Sequence, residues 1–80
     1  MCHPCPCCAY ITLDEVAGWE ICPVCFWEDD GHSDDTAGEP SGPNDGLSLT
    51  AARDNFAKVG VCDVRFLSNV RAPRPDEIPD

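Results

Sequence analysis

The first 52 residues of this chain contain neither lysine nor arginine. They hold ten acidic residues, whereas residues 53–80 balance five acids against five bases, so the net charge of −10 comes from the first part. Such a surface would repel a polyanion, which argues against binding to DNA, RNA or an anionic membrane. The charge instead favours a protein partner of basic character.

Large apolar side chains are also scarce, at 20 of the 80 residues. A core this small rarely contributes more than about 3–5 kcal/mol, so small domains also rely on disulfides, metals or partners. No apolar run reaches the roughly 18 residues of a membrane helix, and the N-terminus lacks the basic and apolar regions of a signal peptide. We therefore expect a single domain, residues 1–80, in a reducing cytosol.

Cysteine, in contrast, is abundant, with seven residues. In a reducing compartment, clustered cysteines are more often metal ligands than disulfides, and an odd number cannot pair completely. Cys5 and Cys8 form one C-x-x-C motif, and Cys22 and Cys25 form a second after 13 intervening residues. Two thiolates at this spacing on a tight turn can face one ion about 2.3 Å away. The spacing predicts one four-cysteine site for Zn²⁺, which would be structural because it has no open position.

Iron is the alternative metal, because paired C-P-x-C motifs also resemble those of rubredoxin. Rubredoxin-like motifs usually place glycine directly after the second cysteine, where the tight turn needs it. This chain has Ala9 and Phe26 at those two positions. Their identity favours zinc over an iron electron carrier.

Further metal-ligating residue types lie outside the two motifs. They would suit a second metal site, and Cys2 or Cys7 could also replace one ligand of the first site. The simpler interpretation makes Cys62 a small buried hydrophobic residue and Cys2 an exposed thiol. The candidates for the second site are Cys2, His3, Cys7 and Cys62.

Composition divides the chain into a metal-knuckle hairpin at 1–27, an acidic loop at 28–47, a helical part at 48–70 and a proline-rich tail at 71–80. Residues 9–13 and 19–21 have β character and predict a hairpin that joins the two cysteine motifs. A helix is expected after the N-cap Ser48 and before Gly60, with Leu49, Ala52, Phe56 and Val59 on one apolar face.

The end of the chain predicts less regular structure. A second short helix is expected from Asp63, with Phe66, Leu67 and Val70 directed inward. The tail contains three prolines and should be extended.

An aromatic and acidic run follows the second motif and has two interpretations. It could be a recognition patch for a basic partner, or a packed tryptophan beside a solvated acidic turn, which we favour. The run consists of Trp27, Glu28, Asp29 and Asp30.

These motifs resemble the bacterial cysteine-rich CPCC family. The resemblance is carried by Cys5-Pro6-Cys7-Cys8, by the stretch from Ile21 to Asp30 and by scattered residues from Ser48 to Phe66, and it covers residues 5–78. The N-terminal Met1-Cys2-His3-Pro4 and Ala9 depart from the family pattern. The resemblance implies a small metal-binding domain.

Together these patterns predict a small α+β metal-stabilised domain. Its zinc-ribbon-like or rubredoxin-like β-hairpin would carry the four cysteines, with one or two C-terminal helices packed on it. The expected function is a zinc-binding, non-enzymatic protein-interaction module, for example an immunity or antitoxin-like binder of a basic protein. The alternative is a rubredoxin-like electron carrier with iron.

Overall fold

A computed structural model describes residues 2–79 and has two short antiparallel hairpins followed by one helix. Strand β1 (His3–Pro4) pairs with β2 (Ile11–Leu13), and β3 (Pro40–Ser41) pairs with β4 (Leu47–Ser48). Helix α1 spans Leu49–Val59. The predicted small α+β architecture is confirmed. No helix in this part of the chain has both the length and the hydropathy that crossing a membrane requires.

The prediction of a hairpin between residues 9–13 and 19–21 is wrong. β2 pairs with β1 instead, and the segment after β2 bends away because Ala17 and Trp19 have left-handed backbone angles, with φ of 56° and 62°. Ile21 then forms a single antiparallel bridge with Glu28. Each cysteine motif therefore lies within its own short antiparallel pair, rather than at the two ends of a shared one.

Helix α1 agrees with its predicted boundaries. The Ser48 hydroxyl accepts a hydrogen bond from the Ala51 N–H at 3.1 Å, and Gly60 ends the helix with φ of 80° and an N–H bond to the Phe56 carbonyl. A glycine is favoured there because side chains strain this conformation. Leu49 is fully buried, as predicted, along with Ala52. Val59 is 45% exposed, so the predicted apolar face ends one turn early.

Beyond α1 the expected second short helix is present as a 3₁₀ helix, Val64–Asn69. Asp63 is its N-cap, as predicted, and its carboxylate accepts the Arg65 N–H at 3.2 Å. The tail, which was expected to be extended, contains a 3₁₀ turn at Pro75–Glu77. Leu67, predicted to point inward, is 51% exposed. Short 3₁₀ turns do not continue an apolar stripe of 3.6-residue period, which explains the outward position of Leu67.

The acidic loop, residues 28–47, is held together by internal hydrogen bonds and is joined to α1 by a backbone bond. The Asn44 side chain bonds both the N–H and the carbonyl of Glu28 at 2.9 Å, and it also donates to the Ser41 hydroxyl at 2.9 Å. The Ser41 hydroxyl in turn donates to the Asp30 carboxylate at 2.6 Å. Thr50 connects the segment to α1 through its N–H, which donates to the Ala37 carbonyl at 2.9 Å. These bonds satisfy polar groups that would otherwise be buried without partners.

The core lies where the cysteines, the second motif and α1 meet. Its side chains are mostly small, which agrees with the scarcity of large apolar residues, and Trp27 is the largest of those that are fully buried. Tyr10 packs edge-on against Phe56 at 6.2 Å between ring centroids, and Phe26 packs against Phe66 at 4.6 Å. The main members of this core are Cys5, Leu13, Cys22, Val24, Cys25, Trp27, Leu49, Ala52 and Cys62.

Candidate metal centre

The two cysteine motifs form two turns with the same backbone hydrogen bonds. In the first knuckle, residues 5–10, the N–H of Ala9 donates to the Cys5 carbonyl at 2.8 Å and the N–H of Cys5 donates to the Tyr10 carbonyl at 2.8 Å. In the second knuckle, residues 22–27, the corresponding bonds link Phe26 to Cys22 at 2.8 Å and Cys22 to Trp27 at 2.9 Å. The sequence similarity of the motifs thus extends to their backbone geometry.

Both knuckles need a left-handed residue after the second cysteine. Ala9 has φ of 70° and Phe26 has φ of 69°, a conformation that costs a residue with a side chain about 1–2 kcal/mol. The absence of glycine therefore did not prevent the turn, and it does not discriminate between zinc and iron as the sequence argument assumed. The surrounding hydrogen bonds and packing hold the strained conformation.

The knuckles bring together the four cysteines of the two C-x-x-C motifs. The Sγ atoms of Cys5, Cys8, Cys22 and Cys25 all lie within 4.8 Å of one another. The Cys5–Cys25 and Cys8–Cys22 sulfur distances are 3.6 and 3.7 Å. A tetrahedron with metal–sulfur bonds of about 2.3 Å has sulfur–sulfur edges of about 3.8 Å. The donor set and its spacing therefore fit a tetrahedral metal ion, and the cluster could hold one.

The proximity of the four thiols shifts their pKa values in opposite directions. Hydrogen bonds from Cys25, Cys5 and Cys8 hold the pKa of the Cys22 thiol far below its usual range, and the Thr12 hydroxyl lies 3.1 Å from its sulfur. The same cluster raises the pKa of Cys25, chiefly through its hydrogen bond to Cys22. One thiolate can thus be stabilised by neighbouring thiols, whereas ionisation of all four requires a cation among them.

The candidates for a second site do not form a comparable group. The cluster above is the one set of three or more potential ligands that residues 2–79 bring this close together. Cys2 is exposed, as the simpler interpretation expected, while Cys7 and Cys62 are buried. Burial, together with the smaller effects of neighbouring Cys7 and Asp63, raises the pKa of Cys62 to about 12, so Cys62 remains a neutral thiol.

The acidic run after the second knuckle is largely internal. Trp27 is fully buried, and Asp29 is only 4% exposed. The Asp29 carboxylate accepts the Ala17 N–H at 2.8 Å, and the Asp30 carboxylate accepts the Ser41 hydroxyl at 2.6 Å. Glu28 is held by Asn44 through its backbone N–H and carbonyl. The predicted recognition patch therefore has no exposed aromatic residue, and its acids are not simply solvated either. The Asp29 carboxylate thus holds the chain before the second knuckle, and the Asp30 carboxylate holds the chain after it.

Comparison with protein families identifies the family of this chain. The model of the Cysteine-rich CPCC family matches residues 3–77. The chain belongs to this family. Searches of curated proteins and of solved structures gave no match. Sequence reasoning missed Thr12, which contacts the Cys22 sulfur. It named Asp29 only as part of a possible recognition patch, whereas the structure shows that Asp29 fixes the preceding loop. No local signal marks these two roles, because both depend on contacts that are distant in sequence.

Proposed function

We propose that this protein is a zinc-stabilised, non-enzymatic protein-interaction module of a bacterial cytosol. The supporting observation is the cluster of four protein thiols, whose spacing suits Zn²⁺ and leaves no position for a substrate. Residues 5, 8, 22 and 25 would hold the ion, and zinc would supply folding free energy, not chemistry. A structural zinc can contribute about 10–16 kcal/mol, more than a core of this size.

The interaction part of the proposal is supported by charge. The net charge is −10, and residues 1–52 contain no base. An acidic surface of this kind steers basic partners towards the protein and repels nucleic acids. An immunity or antitoxin-like binder of a basic protein is the concrete version that suits an 80-residue chain.

A rubredoxin-like electron carrier with iron is the second candidate. The left-handed turns at Ala9 and Phe26 are as compatible with iron as with zinc, because they reproduce the tight geometry without glycine. Cys8, which is only partly buried, would give the metal a solvent-facing ligand for electron exchange.

Metal content of the protein purified from its native host separates the two candidates. We expect native mass spectrometry to find one zinc per chain and visible spectroscopy to find no absorption. A red protein that contains iron and has a reversible redox couple would contradict the proposal. The Cys7→Ser variant is the matched control, because it removes a buried thiol from outside the cluster and should retain one zinc.

A second experiment tests the interaction. The zinc-loaded protein is used as bait in a lysate of the host, and bound proteins are eluted with increasing salt. We expect a basic protein that elutes at high salt and forms a defined complex when purified. Failure to recover any salt-sensitive partner would contradict the interaction part and leave the metal assignment intact.

A further inference from the structure

A groove opens beside the first knuckle, with a volume of about 150 Å³. Pro4 and Pro6 form one part of its wall, and Val16 and Ala17 form another. His32 also lines the groove, and its two ring nitrogens lie near polar partners, Nδ1 at 2.9 Å from the Thr36 hydroxyl and Nε2 at 3.5 Å from an Asp30 carboxylate oxygen. Most of the wall is therefore apolar. The His32 imidazole, which is polar, already has partners within the protein.

The loop that carries Val16 is held in one conformation. Ala17 and Trp19 both have left-handed backbone angles, which residues with side chains rarely adopt. The Asp29 carboxylate accepts the Ala17 N–H at 2.8 Å, and the Asp29 carbonyl accepts the Trp19 N–H at 3.0 Å. Because buried Asp29 makes both bonds, the groove wall is fixed by the fold before any ligand arrives.

This loop also exposes large apolar side chains. Val16 is 72% exposed and Trp19, three residues later, is 61% exposed. Tryptophan is enriched among the residues that contribute most to the binding free energy of protein interfaces. The chain thus places two apolar groups in water next to an apolar groove, although its core is short of such groups.

Acidic residues flank the groove-lining residues in the sequence, and Asp29 itself lines the groove. Asp14 and Glu15 precede Val16, and Asp35 lies two residues after the groove residue Ser33. All three acids are exposed, and none forms an ion pair within the described part of the chain. The nearby base is Arg53, whose guanidinium bonds the Pro6 carbonyl at 2.8 Å and Asp34 at 2.8 Å, so its charge is already compensated.

We propose that this groove binds a basic protein segment by taking up one of its apolar side chains. Lysine or arginine residues on either side of that side chain would face the carboxylates of Asp14, Glu15 and Asp35. A cavity of about 150 Å³ in a protein core can hold a benzene ring, so the groove has room for a phenylalanine or leucine side chain. This inference rests on the proposed function, for which it names the binding surface.

Titration of the zinc-loaded, ¹⁵N-labelled protein with short peptides tests the proposal. The probes are Lys-Arg-Phe-Arg-Lys, the same peptide with serine in place of phenylalanine, and the acidic peptide Asp-Glu-Phe-Glu-Asp. We expect the basic phenylalanine peptide to shift the amide signals of Val16, Ala17 and His32 and the indole signal of Trp19. It should bind at least about fivefold more tightly than the serine peptide, and the acidic peptide should not bind. Equal affinities, or shifts spread over the acidic surface, would overturn the proposal.

Two matched surface variants locate the site. Val16→Ser should weaken binding of the phenylalanine peptide at least about fivefold, because it removes an apolar side chain from the groove wall. Val64→Ser changes a side chain that is 61% exposed and does not line the groove, so it should bind like the unmodified protein. Both variants should keep their zinc and their melting temperature. If the two variants bind the peptide equally well, the groove is not the site.

The Val16→Ser variant also separates this inference from the proposed function. If a salt-sensitive host partner binds Val16→Ser as tightly as the unmodified protein, the groove proposal fails and the interaction module stands. If the peptides map to the groove but the host yields no partner, the groove proposal stands and the interaction part of the proposed function fails.

Discussion

The first and second knuckles have the same backbone turn, but the rest of the chain holds them in different ways. Side chains of α1 hold the first knuckle: the Arg53 guanidinium donates to the Pro6 carbonyl, and Phe56 packs against Tyr10. The second knuckle is held chiefly by backbone. There the N–H of Cys62 donates to the Cys25 carbonyl at 2.8 Å and the N–H of Arg71 donates to the Pro23 carbonyl at 3.1 Å.

Burial of the cysteines follows this difference. Cys22 and Cys25 are both fully buried, whereas in the first knuckle Cys8 is only partly covered. Phe26 also packs into the core region against Phe66, while the corresponding Ala9 is exposed. The two knuckles have the same backbone turn, but their side chains differ in burial and packing. Cys5 of the first knuckle is buried like the two cysteines of the second, so Cys8 is the most accessible ligand of the candidate metal site.

The largest expected effect comes from removing a thiol of the second knuckle. Cys22→Ser should lose tight metal binding and with it most of the roughly 10–16 kcal/mol that a structural zinc contributes, leaving the chain unfolded at room temperature. Circular dichroism would measure the loss of folded structure, and native mass spectrometry would measure the loss of the metal. Cys7→Ser is the control and should keep both the metal and the fold. Loss of metal from Cys7→Ser, with retention in Cys8→Ser, would show that the ligand set is assigned incorrectly.

A smaller effect is expected from glycine at the left-handed positions. Phe26→Gly relieves backbone strain but loses the packing against Phe66, and should destabilise the protein by about 2–4 kcal/mol. Ala9→Gly relieves the same strain at an exposed position, and should leave stability within about 1 kcal/mol of the original. Thermal melting of the zinc-loaded variants measures both.

Alanine at position 26 provides the matched control for this pair. Phe26→Ala loses the packing and keeps the strain, so it should melt at a lower temperature than Phe26→Gly. If Phe26→Ala melts at the same temperature or higher, the left-handed backbone is not a source of strain. The different effects of substitutions at Ala9 and Phe26 on stability would then be explained by side-chain burial alone.

The smallest effect concerns the tail that covers the second knuckle. Arg71 pairs with Glu77 through two bonds of 2.8 Å, and these bonds, with a further one from the Arg74 N–H, lower the pKa of Glu77 to about 2 from its ordinary 4.5. A carboxyl group with a lowered pKa stabilises the fold above its ordinary pKa, and this contribution disappears as the pH falls towards the lowered value.

Melting temperatures of the unmodified protein and of Glu77→Gln should therefore differ by a constant amount above about pH 5 and converge as the pH falls below about 4.5. Asp76→Asn, which changes an exposed neighbouring carboxylate, should show a smaller difference at every pH. A Glu77→Gln difference that stays constant down to pH 3 would contradict the role of the ion pair.

The sequence by itself predicted the four cysteines that lie together, because C-x-x-C spacing and the proline after the first cysteine act within one turn, but the structure was needed to set aside Cys2 and Cys7 as alternative ligands. The sequence also determined α1, since Ser48 and Gly60 cap the helix through bonds to residues three or four positions away. Local patterns were sufficient wherever the decisive contacts were local. The location of the negative charge was likewise a property of the sequence alone.

Only the tertiary structure decided which strands pair and which acids are buried. Residues 9–13 and 19–21 have β character, but the left-handed angles at Ala17 and Trp19 and their bonds to Asp29 turn the chain away from the expected hairpin. The burial of Asp29 depends on contacts across 10–12 residues, and that of Trp27 on packing from several elements. Such contacts have no local signature, because their free energy comes from groups that meet only when the chain is folded.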